Sequence, residues 1–136
     1  MISITQGVEA APEGKLTVNI DGLKSDRGVV RIALFNTAKS FSDNRYGING
    51  AVKSATLKIK DKKASWTVKN LPFGDYAVRT FHDVDETGKF KVNRLGIPKY
   101  EYGFSNNARA MFGPPSFESS KFEFSGDKAI SITMHR

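Results

Sequence analysis

At 136 residues with no cysteine, the chain has the size of one domain able to close on an apolar core alone; disulfides, thiolate nucleophiles and Cys-ligated zinc or iron–sulfur centres are excluded. Its 21 Lys and Arg outnumber 14 Asp and Glu for a formal charge of +7, but they are scattered singly and no nucleic-acid-reading motif accompanies them, so no nucleic-acid partner is expected. No apolar run approaches the ~20 residues of a spanning helix, so no transmembrane segment is expected either.

Residues 1–14 have neither the basic start nor the long apolar stretch of a signal peptide. They leave open a cytosolic protein or a mature form whose leader was replaced by an initiating Met; read as a flexible lead-in to a single domain over 15–136, they suit the second. Residues 15–21 alternate, with Leu16, Val18 and Ile20 on one side, as a half-buried strand does. After the turn signals Asp21-Gly22 and Ser25-Asp26-Arg27-Gly28, a second strand over 29–36 is apolar on both faces, which predicts a central strand or one covered by a loop. Thr37 caps one helical turn, and Asp43-Asn44 and Asn49-Gly50 are turn signals. A third strand spans 51–60 and a fourth 63–69, joined tightly at Asp61-Lys62. Trp66 stays in phase with Ala64 and Val68 and reads as a core anchor. Strand five covers 75–83, and 117–124 and 129–135 supply the last two around the turn Gly126-Asp127.

Seven short alternating strands with little helical signal predict an all-β, antiparallel two-sheet β-sandwich. Residues 84–116 are the anomaly: too long for a plain connection and rich in Phe90, Tyr100, Tyr102, Phe104, Met111 and Phe112. Such a segment is expected to form a structured loop that packs on itself or across a sheet.

The residues Leu71-Pro72-Phe73-Gly74-Asp75-Tyr76, Phe81-His82-Asp83, Gly88-Lys89, Gly96-Ile97-Pro98, Tyr102-Gly103-Phe104-Ser105-Asn106-Asn107 and Gly113-Pro114-Pro115-Ser116-Phe117 resemble the signature of a bacterial family of small exported domains of unknown function. The resemblance implies a prealbumin-like (transthyretin-like) Greek-key sandwich and a periplasmic or secreted location. It brings no established catalytic role.

Three groups of residues are candidates for function. Asp83, Asp85, Thr87 and the carbonyl of Lys89, with Gly88 between, begin as a calcium loop begins, but Lys91 and Arg94 oppose a further cation; the preferred alternative is an Asx-type turn. His82 beside Asp83, with Asp85, would be the centre of a metal-assisted hydrolase, yet consecutive strand residues face opposite ways, and a strand-end His bonded to a loop carbonyl or to Asp85 is the plainer reading. Tyr100, Tyr102, Phe104, Asn106, Asn107 and Phe112 combine rings with amides, as a surface for a small ligand, glycan or protein partner would; the alternative is that the rings form the loop's own small core and the amides satisfy buried backbone. The expected function is therefore non-enzymatic binding through the long loop, with no cofactor apart from the calcium alternative. Oligomeric state is not legible.

Overall fold

The computed structural model describes residues 11–43 and 47–136. The first ten residues of the expected lead-in, and Asn44 of the Asp43-Asn44 turn, lie outside the described residues. The elements run β1 (Glu13–Asp21), β2 (Val29–Phe35), α1 (Ala38–Asp43), β3 (Lys53–Leu57), β4 (Ala64–Pro72), β5 (Gly74–Asp83), β6 (Tyr102–Phe104), a 3₁₀ turn (Ser105–Asn107), α2 (Phe117–Ser120), β7 (Phe122–Phe124) and β8 (Lys128–Thr133). The protein is mostly β, with a three-stranded sheet β4-β1-β8 and a five-stranded sheet β3-β2-β5-β6 in which β7 pairs with the start of β5.

The alternating side chains do what their period requires. Leu16, Val18 and Ile20 of β1, Trp66 and Val68 of β4 and Ile132 of β8 meet Val30, Ile32 and Leu34 of β2 and Val78 of β5 in one core between the sheets. Trp66 is thus the core anchor its phase predicts. The opposite face of β2 carries Ala33 and Phe35, which pack with Phe41 of α1, Phe104 of β6 and Phe117 of α2 into a second, outer cluster. The two apolar faces of β2 therefore reflect both expected causes: it is central, and its outer side is covered. Thr37 caps α1 as predicted, its Oγ1 accepting the Ser40 N–H at 3.1 Å.

Three expectations need correction. There are eight strands among the described residues, not seven, because Tyr102–Phe104 forms β6 inside the long loop, antiparallel to Arg79–Phe81. The expected strand over 117–124 is split: Ser116 caps a helical turn by accepting the Ser119 N–H at 3.1 Å, and only Phe122–Phe124 is extended. Phe117 thereby turns to the outer cluster while Phe122 and Phe124 reach the core between the sheets. Finally, β8 runs parallel to β1, pairing Leu16–Asp21 with Lys128–Thr133, so the sheets are not wholly antiparallel. β1 begins at Glu13, two residues before the first alternating residue of the sequence reading.

Candidate functional site

β5 is buried from Tyr76 to Asp83, and its alternation sends consecutive side chains to different environments. Asp83 faces outward. Arg31 Nε donates to its Oδ2 at 2.9 Å, Gly88 N–H to the same oxygen at 2.7 Å, and Thr87 N–H to Oδ1 at 3.0 Å. Burial would raise its pKa, but those donors outweigh burial and hold it below the ordinary carboxylate value. The Thr87 hydroxyl accepts the Lys89 N–H at 3.3 Å, and Asp85 lies 3.3 Å from the Tyr100 hydroxyl and 3.6 Å from Lys91 Nζ. The Asp83, Asp85 and Thr87 oxygens that a calcium loop would aim at a cation thus meet protein donors, though Asp83 takes amides four and five residues on and Asp85 takes side chains rather than the backbone N–H groups expected of an Asx-type turn; no group of three His, Asp or Glu among the described residues could hold a metal ion.

His82 points the other way and is 2% exposed. Its Nδ1 lies 3.0 Å from Glu101 Oε2 and its Nε2 2.6 Å from the Arg27 carbonyl. Both ring nitrogens face acceptors, and a ring carrying both protons donates to each. Glu101 Oε2 also accepts the Lys24 N–H at 2.7 Å. Burial pushes the Glu101 carboxyl up, and the His82 and Lys24 donors outweigh it, leaving the pKa below the ordinary value. His82 and Asp83 do not come together. Of the two partners foreseen for His82, a loop carbonyl is present at Arg27, while the carboxylate beside the ring is Glu101 and not Asp85; the cluster ties the 24–27 turn to the long loop.

The long loop divides into two arms on either side of β6. In the first, Val92 and Pro98 bridge and Lys99 N–H reaches the Lys91 carbonyl at 2.9 Å, giving a small hairpin. The Asn93 side chain closes its tip, Oδ1 accepting the N–H groups of Leu95 at 2.8 Å and Ile97 at 3.0 Å. The arm is rooted by Phe90, whose ring meets Phe81 and Tyr102 edge to face at 5.5 and 5.8 Å. Tyr102 continues the row to Phe104 at 6.2 Å and Phe104 to Phe41 at 6.0 Å. The loop therefore lies across the outer sheet face on a line of rings, as expected of a segment so rich in them.

Between the first arm and the second, 108–113, lies an open cleft of about 1140 Å³. Val92, Leu95 and Ile97 of the first arm and Met111 and Phe112 of the second line it together with Phe90 and Tyr102, and the end of α1 and the segment after it add Asp43, Gly47, Ile48 and Asn49. Leu95, Met111 and Phe112 are 82%, 88% and 87% exposed. Of the six residues expected to bind, Tyr102 and Phe112 meet at this cleft. Tyr100 sits apart, near His82 and Asp85. Phe104 is buried in the outer cluster, Asn106 donates to the Ser119 and Lys121 carbonyls at 3.2 and 2.7 Å, and Asn107 accepts the Thr133 N–H at 2.9 Å. Both amides hold left-handed backbone, with φ of 62° and 49°.

Sequence reasoning missed Leu95, Ile97 and Met111 as cleft residues, though an apolar run interrupted by Asn93, Gly96 and Pro98 is the signal of a turn with a greasy tip. It also missed Arg79, buried on the outer face with its guanidinium 4.3 Å over the Phe35 ring and its Nε donating to the Gly47 carbonyl at 2.8 Å. Burial lowers that guanidinium's pKa to about 10. Ser105 was missed as well; its buried Oγ accepts the Val78 N–H at 2.9 Å and donates to the Ser120 carbonyl at 2.5 Å, fastening β5 to α2.

The model of a family described as an uncharacterized protein conserved in bacteria (DUF2141) matches residues 18–133. No curated protein and no solved structure matches the chain.

Proposed function

The chain belongs to this bacterial family of uncharacterized proteins, and from that premise we propose that it is a non-enzymatic, exported domain of prealbumin-like (transthyretin-like) Greek-key sandwich build that binds its partner through the cleft of the long loop. The observation that carries the reading is the meeting of Leu95, Ile97, Met111 and Phe112, from separate arms, at one open cleft. A patch of large apolar side chains on a soluble domain marks a surface that something else covers. Export rests on the resemblance of the 71–117 stretch to small exported domains. The non-enzymatic part is supported by His82, buried with both nitrogens engaged. The projecting aliphatic lining favours an apolar or amphipathic partner over a glycan, which calls for rings beside available amides; Asn106 and Asn107 are engaged with backbone.

The test is titration with the apolar dye 1-anilinonaphthalene-8-sulfonate. The folded chain should enhance its fluorescence, and Leu95→Ser with Phe112→Ser should remove most of the enhancement while leaving the melting midpoint unchanged, because both side chains are exposed. Equal enhancement by parent and variant would refute the cleft as the binding site.

A further inference from the structure

We propose that the cleft's two arms form a docking surface for an anionic lipid bilayer, an inference that rests on the cleft being the binding site. Three observations converge on that occupant. The first is shape. A pocket for a small molecule shields its lining, whereas Leu95, Met111 and Phe112 project from the two arms with more than four-fifths of their surface in solvent. Side chains so disposed need a medium that surrounds them, as the headgroup–acyl boundary does. The second is charge. From 89 to 116 the basic residues are Lys89, Lys91, Arg94, Lys99 and Arg109, and the single acidic residue, Glu101, is buried against His82; the carboxylate of Asp43, which also lines the cleft, is paired with Lys39 at 3.0 Å. Lys89 lines the cleft and Arg94 adjoins Leu95 at the tip, while Lys91 is partly offset by Asp85 at 3.6 Å. Each basic residue close to an anionic bilayer strengthens attachment about fivefold.

The third is the backbone of the tip. A segment entering the interface leaves water behind, and any unmet N–H there opposes entry. Here the N–H groups of Leu95 and Ile97 donate to Asn93 Oδ1 and that of Gly96 to the Asn93 carbonyl at 3.0 Å. The tip thus offers apolar side chains on amides already satisfied. The attachment proposed is by this surface, lying on the bilayer; no helix among the described residues is long and apolar enough to cross a membrane.

The experiment is cosedimentation of the full chain with vesicles of phosphatidylglycerol mixed with phosphatidylcholine, against phosphatidylcholine alone. The expected result is binding to the anionic vesicles, weakened by salt, weakened about tenfold or more by Leu95→Ser with Phe112→Ser, and weakened severalfold by Lys89→Glu with Arg94→Glu. Thermal melts of each variant confirm an intact fold. Binding that ignores Leu95→Ser with Phe112→Ser would overturn the proposal, as would no binding at all. If the dye titration shows an occupied cleft but vesicles do not bind, the membrane inference falls and the cleft stands; if both fail, both fall. A concentration-dependent dimer abolished by the same apolar substitutions, without vesicle binding, would assign the patch to a second copy and overturn the proposal too.

Discussion

His82 and Asp83 are adjacent in sequence and serve opposite faces of one strand, each holding a different stretch of chain. Glu101 is the hinge of the inner arrangement: one oxygen receives both the His82 ring and the Lys24 amide. Removing it strands the buried His82 ring and leaves the part-buried Lys24 amide without its acceptor, which costs more than the net worth of the bonds themselves. Glu101→Ala should therefore destabilise the protein by about 3 kcal/mol, roughly 10 °C in melting midpoint, whereas Glu101→Gln, which keeps an acceptor oxygen and the volume, should lose less than half of that. Thermal melts of the two variants decide it, and equal losses would show that Glu101 acts by packing alone. The opposed directions of His82 and Asp83 were legible from strand alternation. Their partners were not, because Glu101 lies 19 residues away and Arg31 lies 52 away, and burial of an ionisable pair depends on register that no local pattern records. Arg79 was hidden for the same reason: a lone Arg among apolar strand neighbours reads as edge polarity until the outer cluster covers it.

At the scale of elements, strands with strict alternation were legible and short ones were not. β6 is three residues long, and its sequence Tyr102-Gly103-Phe104 shows no more than an apolar triplet with a glycine at its centre. That glycine faces β8: a Cβ on it would lie 2.6 Å from Ile132 Cγ2, so the position admits no side chain without displacement. The direction of β8 against β1 was equally hidden, since period-two patterning is the same for parallel and antiparallel neighbours. The Asp61-Lys62 connection was read correctly as tight, and its chemistry yields a prediction. Lys60 and Lys63 pair across it, and both central residues are left-handed, with φ of 54° and 60°. Neither is glycine. Asp26 compensates by accepting the N–H groups of Asp61 at 3.2 Å and Lys62 at 2.7 Å. Because a left-handed non-glycine residue carries a steric cost and Asp-Gly suits this turn, Lys62→Gly should stabilise the protein by about 0.5–1 kcal/mol. Urea unfolding should show a higher midpoint at unchanged slope.

At the scale of the molecule, the long loop is held to the five-stranded sheet from both sides. Asp83 binds it through the Thr87 and Gly88 amides on the outer face, and Glu101 binds it to His82 on the inner. Seen in sequence, the ring content of 84–116 sufficed to say that the loop packs, and the row Phe81, Phe90, Tyr102, Phe104 is that packing. The two carboxylates that finish the attachment share a property of acid lability. Each has a pKa held below its ordinary value, 3.8 for Asp83 and 4.5 for Glu101, so each binds fewer protons folded than unfolded. Stability from such a group is fully present above the unfolded value and is lost as pH falls through the lower folded one. Melting midpoints should accordingly hold level above about pH 5 and drop progressively below about pH 4. The Asp83→Asn and Glu101→Gln pair of substitutions should lower the midpoint at neutral pH and flatten the acid limb, because neither replacement titrates. The pH series of parent and double variant is the check; an acid limb of equal steepness in both would place the acid sensitivity in other carboxylates and leave the loop anchored by its rings alone.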